Sequence, residues 1–198
     1  MAERVISVSQ ESKKLSKQRL PDLATDIREL VGESGSLPPV DSWAPARVGE
    51  IDIRICRDGS WLYQQEPMER KSVVRLLSKI LKKEGDDFFL VSPVEKLKIE
   101  VEDAPFVITM LDVEGEGVRQ NLHFSTQVGD CISLSDSHPL TVEYNNEEEP
   151  SPYILVRSSL SALITRNVYY QLVNLAVLEE GSDDRYGVWS LGQFFRLH

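Results

Sequence analysis

The chain has 198 residues, 41% of them hydrophobic, which suits one folded domain or two small ones and is too apolar for wholesale disorder. Its 32 acidic and 22 basic residues give a formal net charge of −10 at pH 7. That charge disfavours nucleic acid or an anionic bilayer as the main partner, because both would repel the protein. The apolar runs are also far shorter than the roughly 20 residues of a membrane-spanning helix.

The two cysteines form no metal-binding or disulfide motif. Cys56 and Cys131 are far apart in the sequence, and each lies in an apolar run where a free cysteine usually packs as a small core residue. A reactive thiol is the alternative. The first residues, MAERVISVSQESKK, contain no hydrophobic signal segment. A cytoplasmic protein is therefore expected.

Taken in chain order, the residues predict an extension followed by two subdomains. Residues 1–47 are the extension, with weak helical spacing over 20–31 that the Gly- and Pro-rich stretch GESGSLPPVDSWAP interrupts. The N-terminal subdomain is predicted over 48–93 and the C-terminal subdomain over 94–198. The local patterns in both are those of an α+β protein with mostly antiparallel sheets.

A β-hairpin is predicted to open the first subdomain. The isoleucines of EIDIRI alternate with Asp, Arg and Cys, which is the period-two pattern of a half-buried strand. Asp58 and Gly59 favour a tight turn, and an extended segment restarts at Trp61. The stretch RDGSW also has the glycine, short polar side chains and aromatic ring that the lip of a ligand site needs, so both interpretations stay open.

A helix and a short strand are predicted to complete this subdomain. Pro67 is predicted to begin the helix, whose apolar face includes Leu77 and Leu81. Gly85 stands where a left-handed C-cap belongs, after two lysines that suit the negative end of a helix. FFLV, over residues 88–91, predicts the strand.

The second subdomain is predicted to be mostly β, with a helix over residues 166–178. Strands are predicted for the segments EKLKIEVE, FVITMLDV, VRQNLHFS, CISL, LTVEY, YILV, YGVW and FFRL. EGEG and SDSHP supply turns between them, and NNEEEPSP is predicted to be a solvated acidic loop.

The two helical segments suggest an internal duplication. RKSVVRLLSKILKKEGDDFFLVS, from Arg70, and RNVYYQLVNLAVLEEGSDDRYGVWS, from Arg166, share apolar offsets, a Glu-Gly pair and an Asp pair at similar distances from the arginine. Each is preceded by a strand and runs into another. Two related strand-turn-helix-strand units would pack together, because neither alone buries both faces of its sheet.

The repeat gives Arg70 and Arg166 equivalent positions at helix starts. The helix dipole makes a cation there mildly unfavourable unless an anion is near. That anion is either a carboxylate of the chain or the phosphate of a ligand. The carboxylate candidates include Asp52, Glu69 and Asp103. Arg54 and Arg157, on the preceding strands, would add positive potential in the same cleft or pair across strands with acids.

Motifs of established chemistry are missing from the sequence. It has no GxxxxGK[ST] or GxGxxG loop for phosphates, and its three histidines share no metal spacing, so no cofactor or metal is expected. Cys131 with His123 would form a nucleophilic pair, but the sequence identifies no acid to orient the imidazole. A non-enzymatic protein is the first expectation, and an unrecognised hydrolase using Cys131 or His123 is an alternative.

Six segments of the chain carry a family resemblance. They are LPPVDSWAP, GEIDIRICRDGSWLYQQEPMERKSVVRLL, DDFFLVSPVEKLKIEVEDAPF, SDSHPL, PYILVRSSLSALITRNVYYQLVNLAV and YGVWSLGQFF. In this order they resemble the bacterial family called domain of unknown function 1285, over about residues 37–197. The resemblance implies a two-part fold built by duplication, with a C-terminal part loosely similar to pleckstrin-homology domains.

The same resemblance implies a site in the cleft between the two parts, a nucleotide-like ligand and a role in signalling, with no established reaction. The matching residues that would border this cleft are Arg54, Asp58, Trp61, Arg70, Arg157 and Arg166. The chain is therefore expected to be a cytoplasmic ligand-binding module in which Arg70 and Arg166 meet the charge of the ligand. The alternative is a scaffold for protein partners without a small ligand, in which the arginines form structural ion pairs.

Overall fold

The computed structural model describes residues 37–144 and 146–197. The predicted helix over residues 20–31 lies outside these ranges. The described chain is mostly β with two α-helices, and it divides into two compact units. The first unit holds the described residues up to Arg54 together with Trp61–Glu100. The second holds Ile55–Ser60 and the described residues from Val101 onward.

Six strands and one α-helix form the first unit. They are β1 (Arg47–Ile55), β2 (Trp61–Tyr63), β3 (Glu66–Pro67), α1 (Lys71–Ser78), β4 (Leu81–Glu84), β5 (Asp87–Val91) and β6 (Glu95–Val101), preceded by a 3-10 turn at Val40–Ser42. The strands lie in the order β3-β2-β1-β6-β5-β4 within one sheet. The strands predicted from EIDIRI, FFLV and EKLKIEVE are confirmed.

The core of this unit comes from alternating strand residues. Ile51 and Ile53 of β1 are 7% and 1% exposed, whereas Asp52 between them is exposed. Leu97 and Ile99 of β6 repeat the pattern and are also buried. Because successive strand side chains point to opposite faces, one apolar face of the sheet is removed from water.

The turn that follows β1 closes a hairpin, as predicted. Cys56 N donates to Ser60 O at 2.9 Å, and Ser60 N donates to Asp58 Oδ1 at 2.8 Å. Gly59 adopts a φ of +84°, and a Cβ atom there would lie 3.0 Å from Val107 Cγ2. The position therefore needs glycine both for its left-handed backbone and for space.

The first helix is shorter than predicted. α1 begins four residues after Pro67, which lies in β3, and ends seven residues before Gly85. The segment after α1 instead forms β4, which pairs antiparallel with β5 so that Leu81 lies opposite Leu90. Both leucines are buried, and tertiary packing outweighs the weak intrinsic preference of this segment for a helix. Gly85 does have a positive φ of +60°, but in a hairpin turn rather than at a helix end.

The second unit contains nine strands and one α-helix. They are β7 (Phe106–Glu114), β8 (Asn121–Thr126), β9 (Cys131–Ser133), β10 (Leu140–Tyr144), β11 (Pro150–Arg157), β12 (Leu160–Ile164), α2 (Arg166–Asn174), β13 (Val177–Leu178), β14 (Tyr186–Ser190) and β15 (Gln193–Arg196), with a 3-10 turn at Gly117–Arg119. One sheet has the order β10-β11-β12-β7-β8-β9 and the other β13-β14-β15. Their pairings are antiparallel except that of β12 with β7, which is parallel.

Two predictions in this unit are corrected, and one strand was missed. α2 ends at Asn174, and Val177–Leu178 leave the predicted helix to pair with β14. The predicted acidic loop ends at Pro150, where β11 begins and pairs with β10. β12 was not predicted, although Leu160 and Ile164 are buried at alternating positions. Its small and polar residues made the period-two pattern too short to identify.

The two six-stranded sheets share one strand order. Numbered within each unit, the strands lie third, second, first, sixth, fifth and fourth across the sheet. α1 lies between the third and fourth strands of its unit, whereas α2 follows the sixth. The helices therefore occupy different places within a common strand arrangement.

Candidate functional site

A cleft of about 630 Å³ lies in the second unit, where α2 begins. The first residues of β11, the end of β12 and the first turn of α2 line it, together with one arginine from the turn after β1. Its lining residues are Arg57, Glu149, Pro150, Ser151, Pro152, Leu163, Ile164, Thr165, Arg166, Tyr169 and Tyr170. The cleft therefore combines two guanidinium groups and one carboxylate with aromatic and aliphatic surface.

Arg166 is the exposed first residue of α2. Within the described chain its guanidinium group has no ion pair or hydrogen bond. The side chain of Thr165, the residue before the helix, makes no capping hydrogen bond, so the first-turn N–H groups keep their donor capacity. The positive end of the helix and the guanidinium charge thus act together on this side of the cleft.

Arg57 is the second arginine of the cleft, and a carboxylate holds it in place. Its Nε lies 3.3 Å from Asp103 Oδ2, and its Nη2 donates to Ser151 Oγ at 3.0 Å. Its backbone N donates to Glu102 Oε2 at 2.8 Å. The Arg57 side chain is 59% exposed, against 15% for Asp103. A ligand that reaches Arg57 would therefore share it with the half-buried carboxylate.

Tyr153 belongs to the same network. Its hydroxyl group donates to Asp103 Oδ1 at 2.8 Å. Burial, reinforced by this hydrogen bond to a carboxylate, raises the pKa of Tyr153 to about 12 from an ordinary value of 10.0. The phenol consequently stays a hydrogen-bond donor across the physiological range, and it fixes the carboxylate that orients Arg57.

Two tyrosines of α2 supply aromatic surface to the cleft. Tyr169 is anchored, because its hydroxyl group donates to Leu197 O at 3.2 Å, and burial raises the pKa of Tyr169. Tyr170 is 57% exposed. An exposed ring beside a cationic cleft can stack on a planar ligand, and such stacking tolerates different bases.

Three of the six predicted site residues lie in the first unit. Arg54 Nη2 pairs with Glu100 Oε1 at 3.1 Å. Trp61 is 3% exposed, so its ring packs in the core of that unit. Arg70 is exposed at the N-cap position of α1 and has no ion pair within the described residues. Both arginines of the proposed repeat thus stand at helix starts without a carboxylate partner in the part of the chain described.

The other three predicted residues lie in the second unit. Arg166 lines the cleft, whereas Asp58 and Arg157 do not. Hydrogen bonds from Ser60 hold the pKa of Asp58 below its ordinary value, so this carboxylate stabilises the turn. Arg157 Nη1 lies 2.8 Å from Asp130 Oδ2, and its guanidinium group covers the ring of Phe106 at 4.7 Å. A single site containing all six residues stays a prediction.

The network around Arg57 was missed by sequence reasoning. Asp103 was a candidate partner for the helix-start arginines, and the structure pairs it with Arg57 instead. The interpretation of RDGSW as the lip of a site is the one sequence signal that pointed to Arg57. No feature of the sequence near Arg57 indicates Asp103 or Tyr153, because these residues are distant in the chain and come together only in the folded protein.

Residues 37–144 and 146–197 offer no metal site and no membrane-spanning helix. No group of three or more His, Cys, Asp and Glu side chains in these ranges is arranged to hold a metal ion. None of the helices within them is long and apolar enough to cross a membrane. Both cysteines are free, and Cys131 is exposed, so the expectation of core packing is wrong for that residue.

Comparisons with known proteins agree with the resemblance seen in the sequence. Residues 38–104 match the domain of unknown function (DUF1285), N-terminal domain, and residues 105–197 match the protein of unknown function (DUF1285), C-terminal domain. The structure is similar to that of a DUF1285 family protein from Silicibacter pomeroyi DSS-3, with 45% identity and a TM-score of 0.77 over 83% of this chain and 89% of that one.

A second solved structure, of a DUF1285 family protein from Shewanella baltica OS155, is more distant. It has 26% identity and a TM-score of 0.50 over 62% of this chain and 90% of that one. No curated protein matches the chain.

Proposed function

The chain belongs to the DUF1285 family, and from that premise we propose that it is a ligand-binding module that holds a nucleotide-like anion in the cleft at the start of α2. In this role it reports the bound ligand to a protein partner and catalyses no reaction at this site. The cleft lies within the second unit, so the proposal concerns that unit.

The observation that carries the proposal is the exposed guanidinium group of Arg166 at the start of α2. Arg166 combines this group with the positive end of a helix and a position on the cleft, and it has no ion pair in the described chain. A cation in that position is mildly unfavourable until an anion is bound. Phosphate oxygens would accept hydrogen bonds from both the guanidinium group and the first-turn amides.

The remaining features of the cleft suit the rest of a nucleotide. Its volume of about 630 Å³ falls within the range of roughly 300–1,000 Å³ that small-molecule pockets occupy. Tyr170 offers an exposed ring for a base, and Arg57 offers a second cationic contact. Glu149 is the one acidic residue of the lining.

The test is thermal unfolding with a panel of adenosine and guanosine mono- and triphosphates and with pyrophosphate. A ligand present at 100 times its Kd stabilises by about 2.7 kcal/mol, which is about 5–10 °C in Tm for a protein of this size. Loss of one charge-assisted contact costs about 1.5–3 kcal/mol of binding, so Arg166→Ala should weaken binding roughly 10- to 100-fold.

Arg119→Ala is the matched control for that variant. Arg119 is an exposed arginine of the same unit and lies outside the cleft lining, so the two variants change net charge equally. Selective loss of the nucleotide effect in Arg166→Ala supports the proposal. Equal stabilisation of both variants by the nucleotides would remove Arg166 from the site.

The finer features of the fold are proposals of the same kind. The common strand order of the two six-stranded sheets supports an internal duplication, and a helix that follows six strands supports a loose likeness of the second unit to pleckstrin-homology domains. The two free cysteines support a place in the reducing cytoplasm.

A protein-interaction scaffold is the second candidate, and exposed apolar residues favour it. Tyr170, Val173, Val177, Leu178 and Tyr186 are each between 44% and 57% exposed. Contiguous exposed apolar surface marks sites that bind other proteins, and Leu178 lies directly opposite Tyr186 in the pairing of β13 with β14. Under this alternative no nucleotide changes the Tm, and Leu178→Glu weakens association with a partner without lowering the Tm.

A further inference from the structure

Three polar side chains outside the cleft are connected by two successive hydrogen bonds. Ser133 Oγ lies 3.0 Å from His123 Nδ1, and His123 Nε2 lies 3.3 Å from Glu114 Oε2. The three residues come from β9, β8 and β7, which are neighbours in the sheet. A hydroxyl group, an imidazole and a carboxylate in this sequence are the parts of a general-base-activated nucleophile.

The pairing register explains why these side chains meet. His123 and Ser133 are directly opposite each other on β8 and β9. Leu134 N donates to Leu122 O, so the adjacent pair is hydrogen-bonded and the His123–Ser133 pair is not. Side chains of a non-hydrogen-bonded pair are the closer ones, which places the hydroxyl group against the ring.

The proton positions follow from the chemistry of the partners. An ionised Glu114 carboxylate only accepts hydrogen bonds, so in the neutral imidazole Nε2 carries the proton and donates to it. Nδ1 is then an acceptor, and the Ser133 hydroxyl group donates to it. This is the arrangement in which an imidazole can remove the serine proton while its other nitrogen is held by a carboxylate.

The surroundings give a substrate access and leave a backbone donor nearby. The side chain of His123 is 29% exposed and that of Glu114 81% exposed. β9 is the last strand of its sheet among the described residues. Because Ser133 is in the non-hydrogen-bonded position, its own N–H group points away from β8, where it can donate to the substrate carbonyl oxygen, which becomes an oxyanion when Ser133 attacks.

We propose that Ser133 is the nucleophile of an acyl-transfer site for small esters, with His123 as its general base and Glu114 as a positioning residue. Ser133 Oγ forms a bond to the ester carbonyl carbon while its proton passes to His123 Nδ1. The carbon–oxygen bond of the leaving alcohol then breaks, and the alcohol takes that proton from the imidazole. Water, deprotonated by His123, releases the carboxylic acid and restores the serine.

This inference is independent of the nucleotide cleft and differs from a Cys131–His123 pair. Cys131 lies opposite Ser125 in the register, whereas Ser133 lies opposite His123. The structure thus supplies the nucleophile and the orienting acid that the sequence did not identify for His123. Cys131 and Ser125 remain on the same face as competing or control nucleophiles.

The experiment treats the full chain with an alkyl fluorophosphonate, in which Ser133 Oγ displaces fluoride from phosphorus and His123 takes the serine proton. Intact mass and peptide mapping should show one adduct, on Ser133. Ser133→Ala should abolish it, and His123→Gln should slow it by about 100-fold or more, since general-base catalysis contributes about 10²–10⁴-fold. Ser125→Ala and Cys131→Ser should label at the wild-type rate.

Hydrolysis of p-nitrophenyl acetate should follow the same order among these variants. No adduct on the wild type, an adduct at another residue, or equal labelling of the wild type and His123→Gln would overturn the proposal. His123→Gln retains a side chain that can hydrogen-bond to Ser133, so a slow rate together with an unchanged Tm attributes the loss to the missing base.

Discussion

The contacts of Asp103 predict that one substitution lowers the stability of the protein and raises its affinity for an anion. The Asp103 carboxylate lies 3.3 Å from Arg57 Nε and accepts a hydrogen bond of 2.8 Å from the Tyr153 hydroxyl group. Asp103→Asn removes the negative charge from both contacts. The variant should unfold more easily and should also bind an anion more tightly, because Arg57 then lacks its carboxylate partner. A residue that serves stability alone would produce only the first effect.

The stability loss can be worked out from these contacts. The Asp103 side chain is 15% exposed, so its hydrogen bond to Tyr153 is charge-assisted and largely shielded from water. Hydrogen bonds to charged groups contribute about 1.5–3 kcal/mol. The asparagine keeps an acceptor oxygen for Tyr153, so the loss should fall near the lower end, at about 1.5 kcal/mol.

The gain in affinity is smaller because Arg57 is 59% exposed. Exposed ion pairs contribute about 0.2–1 kcal/mol. Freeing Arg57 should therefore tighten nucleotide binding by up to about fivefold.

Urea unfolding at pH 7 measures the first effect, and calorimetric titration with the most stabilising nucleotide measures the second. Asp112→Asn is the control, because Asp112 is an exposed residue of β7 with the same charge and should change stability by less than about 0.5 kcal/mol. The reasoning is refuted if Asp103→Asn is as stable as Asp112→Asn, or if it binds the nucleotide more weakly than the wild type.

Two further predictions concern pH and packing. Because the pKa of Tyr153 is raised to about 12 from 10.0, its contribution to stability is present below pH 10 and is lost as the pH rises from 10 to 12. In Tyr153→Phe the urea midpoint of unfolding should therefore fall less steeply between pH 9 and 11.5 than in the wild type. An equally steep fall in both proteins would contradict the assignment. Gly187→Ala should lower the free energy of unfolding by about 1–3 kcal/mol, because its Cβ would collide with Phe195 O and lie 2.7 Å from the Phe194 ring. A cost as small as that of Thr141→Ala, at an exposed strand position, would show that β14 can move aside.

Local patterns predicted those parts of the fold where sequence and tertiary burial agree. The alternation around Ile53 and the turn at Gly59 were identified, because the residues that form the hairpin are adjacent in the chain. The helix ends were not, since Leu81 and Val177 each fit a helical spacing but pair with another strand instead. Propensity is a weak guide where a non-local partner is available.

The candidate site shows the same limit. Arg166 could be predicted because its position at a helix start is a local property of the sequence. Its cleft companion Arg57 depends on Asp103, and Ser133 depends on the register that sets it opposite His123. Contacts of this kind depend on which distant segments pair with each other. The residue pattern within a single segment does not reveal that pairing.

The central claim is that an exposed guanidinium group at the start of α2 binds the anionic part of a ligand. Calorimetric titration of the nucleotide into the wild type, Arg166→Ala and Arg119→Ala tests it most directly. We expect saturable binding by the wild type and by Arg119→Ala, and binding by Arg166→Ala that is weaker by about 10- to 100-fold. Equal affinity for all three proteins would contradict it.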